Sequence, residues 1–287
     1  MKGRIIKGIG GFYYIDTGET VVRAKGRGVF RKKGQNLVVG DFVDIEKRED
    51  GDSVITGVYE RKNAFIRPAV SNIDRMIIVA AAKDPEINFV TVDRFLVMAE
   101  KNNANPVICI SKKDLAEQDV IDNIKSIYEN VYPLVFVSSK TEEGIEDLKT
   151  LIKGSSVAFA GPSGTGKSTL INKILPNAFM ETGSISEKTQ RGRHTTRHVE
   201  IIRENDIEIF DTPGFTSFNI LDVTEGELSD YYPEMAKLRG YCRFQNCRHD
   251  KEPGCAVRES VENGEISKQR YDSYIYNLET IRKNKKY

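Results

Sequence analysis

Between residues 155 and 175 an apolar run, a glycine-rich loop and a helical pattern follow one another without a break. Ser155-Ser-Val-Ala-Phe-Ala160 reads as a buried strand and Ser168-Thr-Leu-Ile-Asn-Lys-Ile-Leu175 opens a helix. The loop joining them is Gly161-Pro162-Ser163-Gly164-Thr165-Gly166-Lys167-Ser168-Thr169. It has the form G-x-x-x-x-G-K-[ST], in which backbone N–H groups cradle phosphates and the lysine meets the outer ones. The helix start adds its own partial positive charge. A chance glycine-rich turn would not carry both flanks, so the segment commits the chain to an α/β sheet with an anion site at its strand ends.

Some forty residues beyond the loop, Ile207-Glu-Ile-Phe-Asp-Thr-Pro-Gly214 is a second strand ending in an acidic turn. A carboxylate at that place is where a P-loop protein holds Mg²⁺, so Asp211 is the candidate, with the Gly214 amide facing the γ-phosphate. Taken alone, Asp-Thr-Pro-Gly is also an ordinary strand-terminating turn. The stretch from Thr182 to His198 between the two motifs is polar and aperiodic, as either a switch segment or a solvated loop would be. Read as a switch, it offers Thr195 or Thr196 to complete the Mg²⁺ shell.

Upstream, Asn105-Pro-Val-Ile-Cys-Ile-Ser111 is a further buried strand, ending in Ser111-Lys112-Lys113-Asp114. The Asp114 carboxylate can accept from the ring N–H and exocyclic amine of guanine, a donor pair that adenine lacks, which points to GTP rather than ATP. Lys112 would lay its stem over the base. Tyr132-Pro-Leu-Val-Phe-Val137 ends in Ser138-Ser139-Lys140, where a backbone amide can meet the guanine carbonyl. Asp114 as a simple helix N-cap is the competing reading of the same four residues.

Base recognition therefore precedes the phosphate loop, the reverse of the order in ordinary small GTPases. With this order, the entry segment Asn63-Ala-Phe-Ile-Arg-Pro-Ala-Val-Ser-Asn-Ile-Asp74 and Gly192-Arg-His-Thr-Thr196, the chain resembles the circularly permuted GTPases of the RsgA/YjeQ/YloQ family, the ribosome small subunit-dependent GTPase A type. The resemblance runs over the whole chain. Two positions depart from it. Ser111 stands where the family and most GTPases have Asn, so its contact with the guanine edge and its tie to the P-loop are expected to weaken. Thr165 replaces the usual Val.

Phe215 follows Gly214 where many GTPases carry a water-orienting Gln. An apolar ring cannot orient water, so another group must. His194 is the candidate, adjoining Thr195 and Thr196, with an imidazole able to orient water near neutral pH. Packing of the loop, or contact with an RNA phosphate, explains His194 equally well.

Three of the four cysteines fall within Cys242-Arg-Phe-Gln-Asn-Cys247-Arg-His249-Asp-Lys-Glu-Pro-Gly-Cys255. Three thiolates and an imidazole make a closed tetrahedral set suited to one structural Zn²⁺ per chain, with no open position for catalytic water. Cys109, inside an apolar run, reads as a core thiol.

The 287 residues exceed a typical single domain, and 39% hydrophobic content can fill more than one core. Net charge is only +1, yet residues 1–33 hold nine Lys/Arg against Asp16 and Glu19. Five short strand patterns separated by glycines, Arg4–Lys7, Gly11–Asp16, Thr20–Ala24, Asp41–Ile45 and Ser53–Val58, run through and beyond this basic stretch and suggest a small barrel; the resemblance implies an OB-fold. Phe12, Tyr13 and Tyr14 fit either its core or a base-stacking face. Helical spacing marks Val92–Ala99, Leu115–Val131, Glu225–Leu238 and Ile266–Ile281.

The expected architecture is multidomain α/β: an N-terminal OB-fold β-barrel over 1–62, a circularly permuted P-loop GTPase domain over 63–220, and a C-terminal helical zinc-binding domain over 221–287. The resemblance implies a GTP hydrolase, using Mg²⁺ with GTP, that contacts the small ribosomal subunit and its rRNA and assists late maturation of that subunit. No signal peptide or apolar stretch of membrane length is apparent, so a cytoplasmic monomer without membrane contact is expected. An ATP-using P-loop kinase, and a nucleotide-binding RNA chaperone with negligible turnover, are the alternatives.

Overall fold

A computed structural model describes residues 1–28, 30, 34, 36–48, 53–177, 199–212, 215 and 220–284. Five strands form the N-terminal unit: β1 (Lys2–Ile9), β2 (Phe12–Asp16), β3 (Val21–Gly26), β4 (Phe42–Glu46) and β5 (Ser53–Val58). Their order is β1-β2-β3-β5-β4, and β4 returns to pair with β1. The ring closes into an OB-like barrel, which leaves few unpaired strand edges. Alternation along each strand turns Ile5, Ile15, Ala24, Val43, Ile45 and Ile55 inward, all buried. Phe12, Tyr13 and Tyr14 are each half-buried. Tyr13 packs on the core, whereas Phe12 lies beneath Arg23 and Lys25, 4.8 and 4.6 Å from the ring centroid.

A two-stranded hairpin, β6 (Ala64–Phe65) and β7 (Val70–Ser71), leads into the central sheet. That sheet comprises β8 (Arg75–Ala81), β9 (Pro106–Ser111), β10 (Leu134–Phe136), β11 (Ser156–Ala160), β12 (Glu200–Glu204) and β13 (Ile207–Asp211), in the order β10-β9-β8-β11-β13-β12. All pairings are parallel except β12 with β13. Helices α1 (Phe89–Lys101) and α2 (Gln118–Tyr128) bury one face, and α3 (Ile145–Ile152) and α4 (Lys167–Ile174) the other. Both faces being covered explains why β8, β9 and β11 are apolar at nearly every position.

The barrel is joined to this sheet through β1. Lys7 is in register with Glu200 of β12. Arg4, counted among the basic N-terminal residues, is buried at the junction rather than displayed. It pairs with Glu208, donates to Ser156 Oγ at 2.7 Å and to the Asn72 carbonyl at 2.9 Å, and lies against Phe42 and Phe210. A guanidinium taken out of water needs such a full set of partners.

The C-terminal region holds α5 (Pro233–Ala236), α6 (Ala256–Glu262) and α7 (Lys268–Asn284). The single helix expected over Glu225–Leu238 is instead a 3₁₀ turn, Leu228–Tyr231, followed by the short α5. Tyr232 between them is extended, with φ −117° and ψ 94°, because Pro233 disfavours helical backbone in the preceding residue and starts a new helix at its own first position. Helix α7 packs on α1 around Arg270, whose side chain is 1% exposed. Its Nη1 meets Asp93 Oδ1 at 2.6 Å, its Nε and Nη2 donate to Glu234 at 2.7 and 3.1 Å, and the rings of Tyr128, Tyr132 and Tyr232 surround it. Burial pushes the Asp93 carboxyl above its usual range even though Arg270 pulls the other way.

Candidate nucleotide site and metal centre

The loop after β11 owes its path to glycine. Gly161 has φ +140°, and a Cβ there would lie 2.2 Å from the Val79 carbonyl oxygen of β8. No other residue fits. Gly166, at φ +83°, turns the chain into α4. Within the loop, Thr165 Oγ1 donates to the Pro162 carbonyl at 3.0 Å. Lys167 Nζ donates to the carbonyls of Gly161 and Pro162 at 2.7 and 2.6 Å. Burial lowers this ammonium to about 8. Gly164 also has positive φ, and Ser163, Ser168 and Thr169 are exposed at the mouth of the loop.

The segment expected to read the base ends at the same edge. Ser111 Oγ donates to the Thr165 carbonyl at 2.6 Å, with the Ala80 carbonyl 3.2 Å away. The tie to the P-loop expected to weaken with serine is therefore made. β8 separates β9 from β11 in the sheet, and the end of β9 comes close enough to the loop for the shorter hydroxyl to reach. Lys112 adopts the left-handed conformation, φ +56°, and its Nζ is bonded to the Asp84 carbonyl. Lys113 pairs with Glu143. Asp114 is exposed, and its Oδ1 accepts from the buried Ser138 hydroxyl at 2.6 Å. The same Ser138 oxygen accepts from the amides of Lys140 and Thr141, at 3.2 and 3.1 Å. Ser138 thus binds the two recognition turns together, a role that no motif in the sequence assigned to it. Ser139 is half-buried and Lys140 exposed beside it.

Asp211 ends β13, the parallel neighbour of β11, so its carboxylate and the loop after β11 leave the sheet side by side. Burial, reinforced by Glu200, holds its carboxyl above the usual range. Glu200 faces Asp211 across the antiparallel β12–β13 pair, a neighbour fixed by strand register and invisible to a motif search. Phe215 is buried, edge-to-face on Phe65 with ring centroids 5.4 Å apart, and its carbonyl accepts from the Gly161 amide at 2.9 Å. His194, Thr195, Thr196 and Gly214 lie outside the described residues. The hydroxyl of Ser168 and the carboxylate of Asp211 are hard oxygen donors suited to Mg²⁺.

The cysteine-rich loop between α5 and α6 gathers four ligands. The candidate ligand atoms of Cys242, Cys247, His249 and Cys255 all lie within 4.8 Å of one another. His249 Nδ1 is 3.4 Å from Cys255 Sγ and 3.6 Å from Cys242 Sγ, close to the ~3.5–3.8 Å edges of a tetrahedron around Zn²⁺. The donor set fits a structural zinc ion. Helix α7 clamps the loop: Tyr271 OH donates to the His249 carbonyl and Tyr274 OH to the Arg248 carbonyl, each at 2.7 Å.

Comparison with known proteins places this geometry. Residues 58–221 match the RsgA GTPase family, and residues 2–55 match the RsgA N-terminal domain. The small ribosomal subunit biogenesis GTPase RsgA of Alkaliphilus metalliredigens is 41% identical over 290 residues, covering 100% of this chain and 99% of that protein. The protein of the same name from Clostridium perfringens is 43% identical over 98% of both. The crystal structure of YjeQ from Thermotoga maritima superposes with TM-score 0.85 at 34% identity over 98% of each chain. That of YloQ, described as a circularly permuted GTPase, gives 0.84 at 37% identity over 99% of this chain and 95% of the other. With both family regions matched in sequence order and the fold shared end to end, the chain belongs to the RsgA GTPase family.

Proposed function

We propose that this protein hydrolyses GTP to GDP and phosphate, is stimulated by the small ribosomal subunit, and assists late maturation of that subunit. The observation that carries the reading is the Ser111–Thr165 hydrogen bond, which ties the segment we assign to the base to the loop we assign to the phosphates. The names and full-length similarity of the relatives support it.

In this reading the amides of residues 161–169 cradle the phosphates and Lys167 neutralises β/γ charge. Mg²⁺, when bound, would offset the negative charge that develops on the phosphate. Ser168 and Asp211 would hold it, with Thr195 or Thr196. The Gly214 amide meets the γ-phosphate. Asp114, held by Ser138, accepts from the guanine ring N–H and amine. Ser111, Lys112 and Lys113 shape the base site, and an amide of Ser138, Ser139 or Lys140 faces the guanine carbonyl.

The boundaries we adopt are 1–62, 63–220 and 221–287, with the barrel and the zinc-bearing region contacting rRNA on either side of the nucleotide domain. We place the protein in the cytoplasm as a monomer without membrane contact; among the described residues no helix is long and apolar enough to cross a membrane. Phe215 being packed in the core leaves water orientation to another residue, for which we nominate His194.

Titration of GTP against ATP, followed by turnover with and without small subunits, tests the whole reading. GTP selectivity with subunit-stimulated turnover is expected. Preference for ATP would replace it with a kinase or ATPase, and negligible turnover even with subunits would leave a nucleotide-binding RNA chaperone. His194→Ala should lose stimulated turnover while keeping GTP and subunit binding.

A further inference from the structure

Three charged residues form one row across three strands. Lys7 of β1 is in register with Glu200 of β12, which is in register with Asp211 of β13. Lys7 and Glu200 are ion-paired and each is about one-third exposed, at 36% and 33%. Cross-strand partners in register project from the same face, with Cβ atoms roughly 5 Å apart. The row therefore runs plus, minus, minus, ending on the carboxylate nominated for Mg²⁺. Only its last member belongs to a nucleotide motif. The first belongs to the barrel.

We propose that Glu200 is a positioning residue for the Mg²⁺ site and that Lys7 sets how much of its charge the site feels, so that the barrel tunes retention of the metal–nucleotide complex. This rests on the placement of Mg²⁺ at Asp211. Two adjacent carboxylates attract a divalent cation more strongly than one, and a paired ammonium offsets part of the second. Glu200 is one strand from Asp211 and Lys7 two, so removing either charge acts in opposite directions and Glu200 acts more strongly. A polyanion that engages Lys7 on the barrel releases Glu200 from its pair and tightens the metal site. Contact at the barrel thereby reaches the nucleotide without any shift of the backbone.

The test uses the full-length protein loaded with fluorescent GDP, measuring the Mg²⁺ concentration needed to slow GDP release to half its metal-free rate. Lys7→Gln should lower that concentration and Glu200→Gln should raise it, each by about threefold or more. The double variant should fall between Glu200→Gln and the parent. Zinc content and the thermal midpoint confirm that each variant is folded. Shifts of the same sign in both single variants, as loss of a merely structural strand-pairing contact would give, overturn the inference. Asp211→Asn separates it from the reading beneath it. A Mg²⁺ requirement that responds to Asp211→Asn but to neither single change overturns the row alone, whereas one indifferent to Asp211→Asn overturns the placement of the ion and the row with it.

Discussion

The hydroxyl of Ser111 donates to the carbonyl of Thr165 at 2.6 Å across 54 residues of sequence, and so fastens the strand proposed to read the base to the loop proposed to hold the phosphates. Both residues are nearly fully buried, at 3% and 2% exposure, so the carbonyl has little access to water as a substitute partner. Ser111→Ala should weaken GTP and GDP binding by about 1–2 kcal/mol, roughly five- to thirtyfold in Kd, and lower the melting temperature by a few degrees because the Thr165 carbonyl is left unpaired. Titration with a fluorescent guanine nucleotide measures it, and an unchanged Kd would show that the tie is irrelevant to binding.

Lys167 supplies the pH dependence. Burial lowers its ammonium to about 8, well below the usual lysine value. Phosphate contact requires the charged form and raises the value again, so binding takes up a proton at pH above 8. Nucleotide affinity should accordingly hold steady below about pH 7 and fall as pH rises through 8, while Lys167→Ala removes both the turnover and the pH slope. Calorimetry in two buffers of different ionisation enthalpy at pH 8.5 reads the proton uptake directly.

At the cysteine cluster, thiolate binding of metal is coupled to the order of the loop. Cys247→Ser should reduce bound zinc below one equivalent per chain and raise hydrogen exchange over 242–255. The nucleotide site lies on other elements, so GTP binding should survive. Metal analysis with exchange mass spectrometry checks both halves. A full equivalent of zinc in the variant would contradict the ligand set.

Arg270 and Asp93 predict the cost of separating α7 from α1. Replacing Arg270 with Met keeps most of the volume but leaves Asp93 buried and without its ion-pair partner. Destabilisation of about 3–5 kcal/mol is expected, seen as a lower midpoint in urea unfolding. Asp93→Asn combined with Arg270→Met removes the fully buried pair, leaving only the partly exposed Glu234 without its partner, and should recover part of the loss. No recovery in the double variant would mean that Glu234 and the tyrosines around Arg270, rather than the Asp93 pair, hold the helices together.

What the sequence determined by itself is local. The strand–loop–helix run of 155–175 and the spacing of three cysteines and one histidine depend on contacts within a few residues, where ligand chemistry and chain geometry leave few choices. Short strand-like runs broken by glycine turns likewise marked the five barrel strands. Only the tertiary structure decided which distant residues meet. Arg4 counted as one more surface cation until strand pairing buried it against Glu208. Ser111 read as a weakened tie until the end of β9 was brought beside the P-loop. Phe12 became a ring under two cations while Ile15, three residues on, entered the core. Glu200 drew no notice until register set it between Lys7 and Asp211. Each of these depends on register across a sheet or on closure of a barrel, which is fixed by the whole packed core and is not encoded in any one segment.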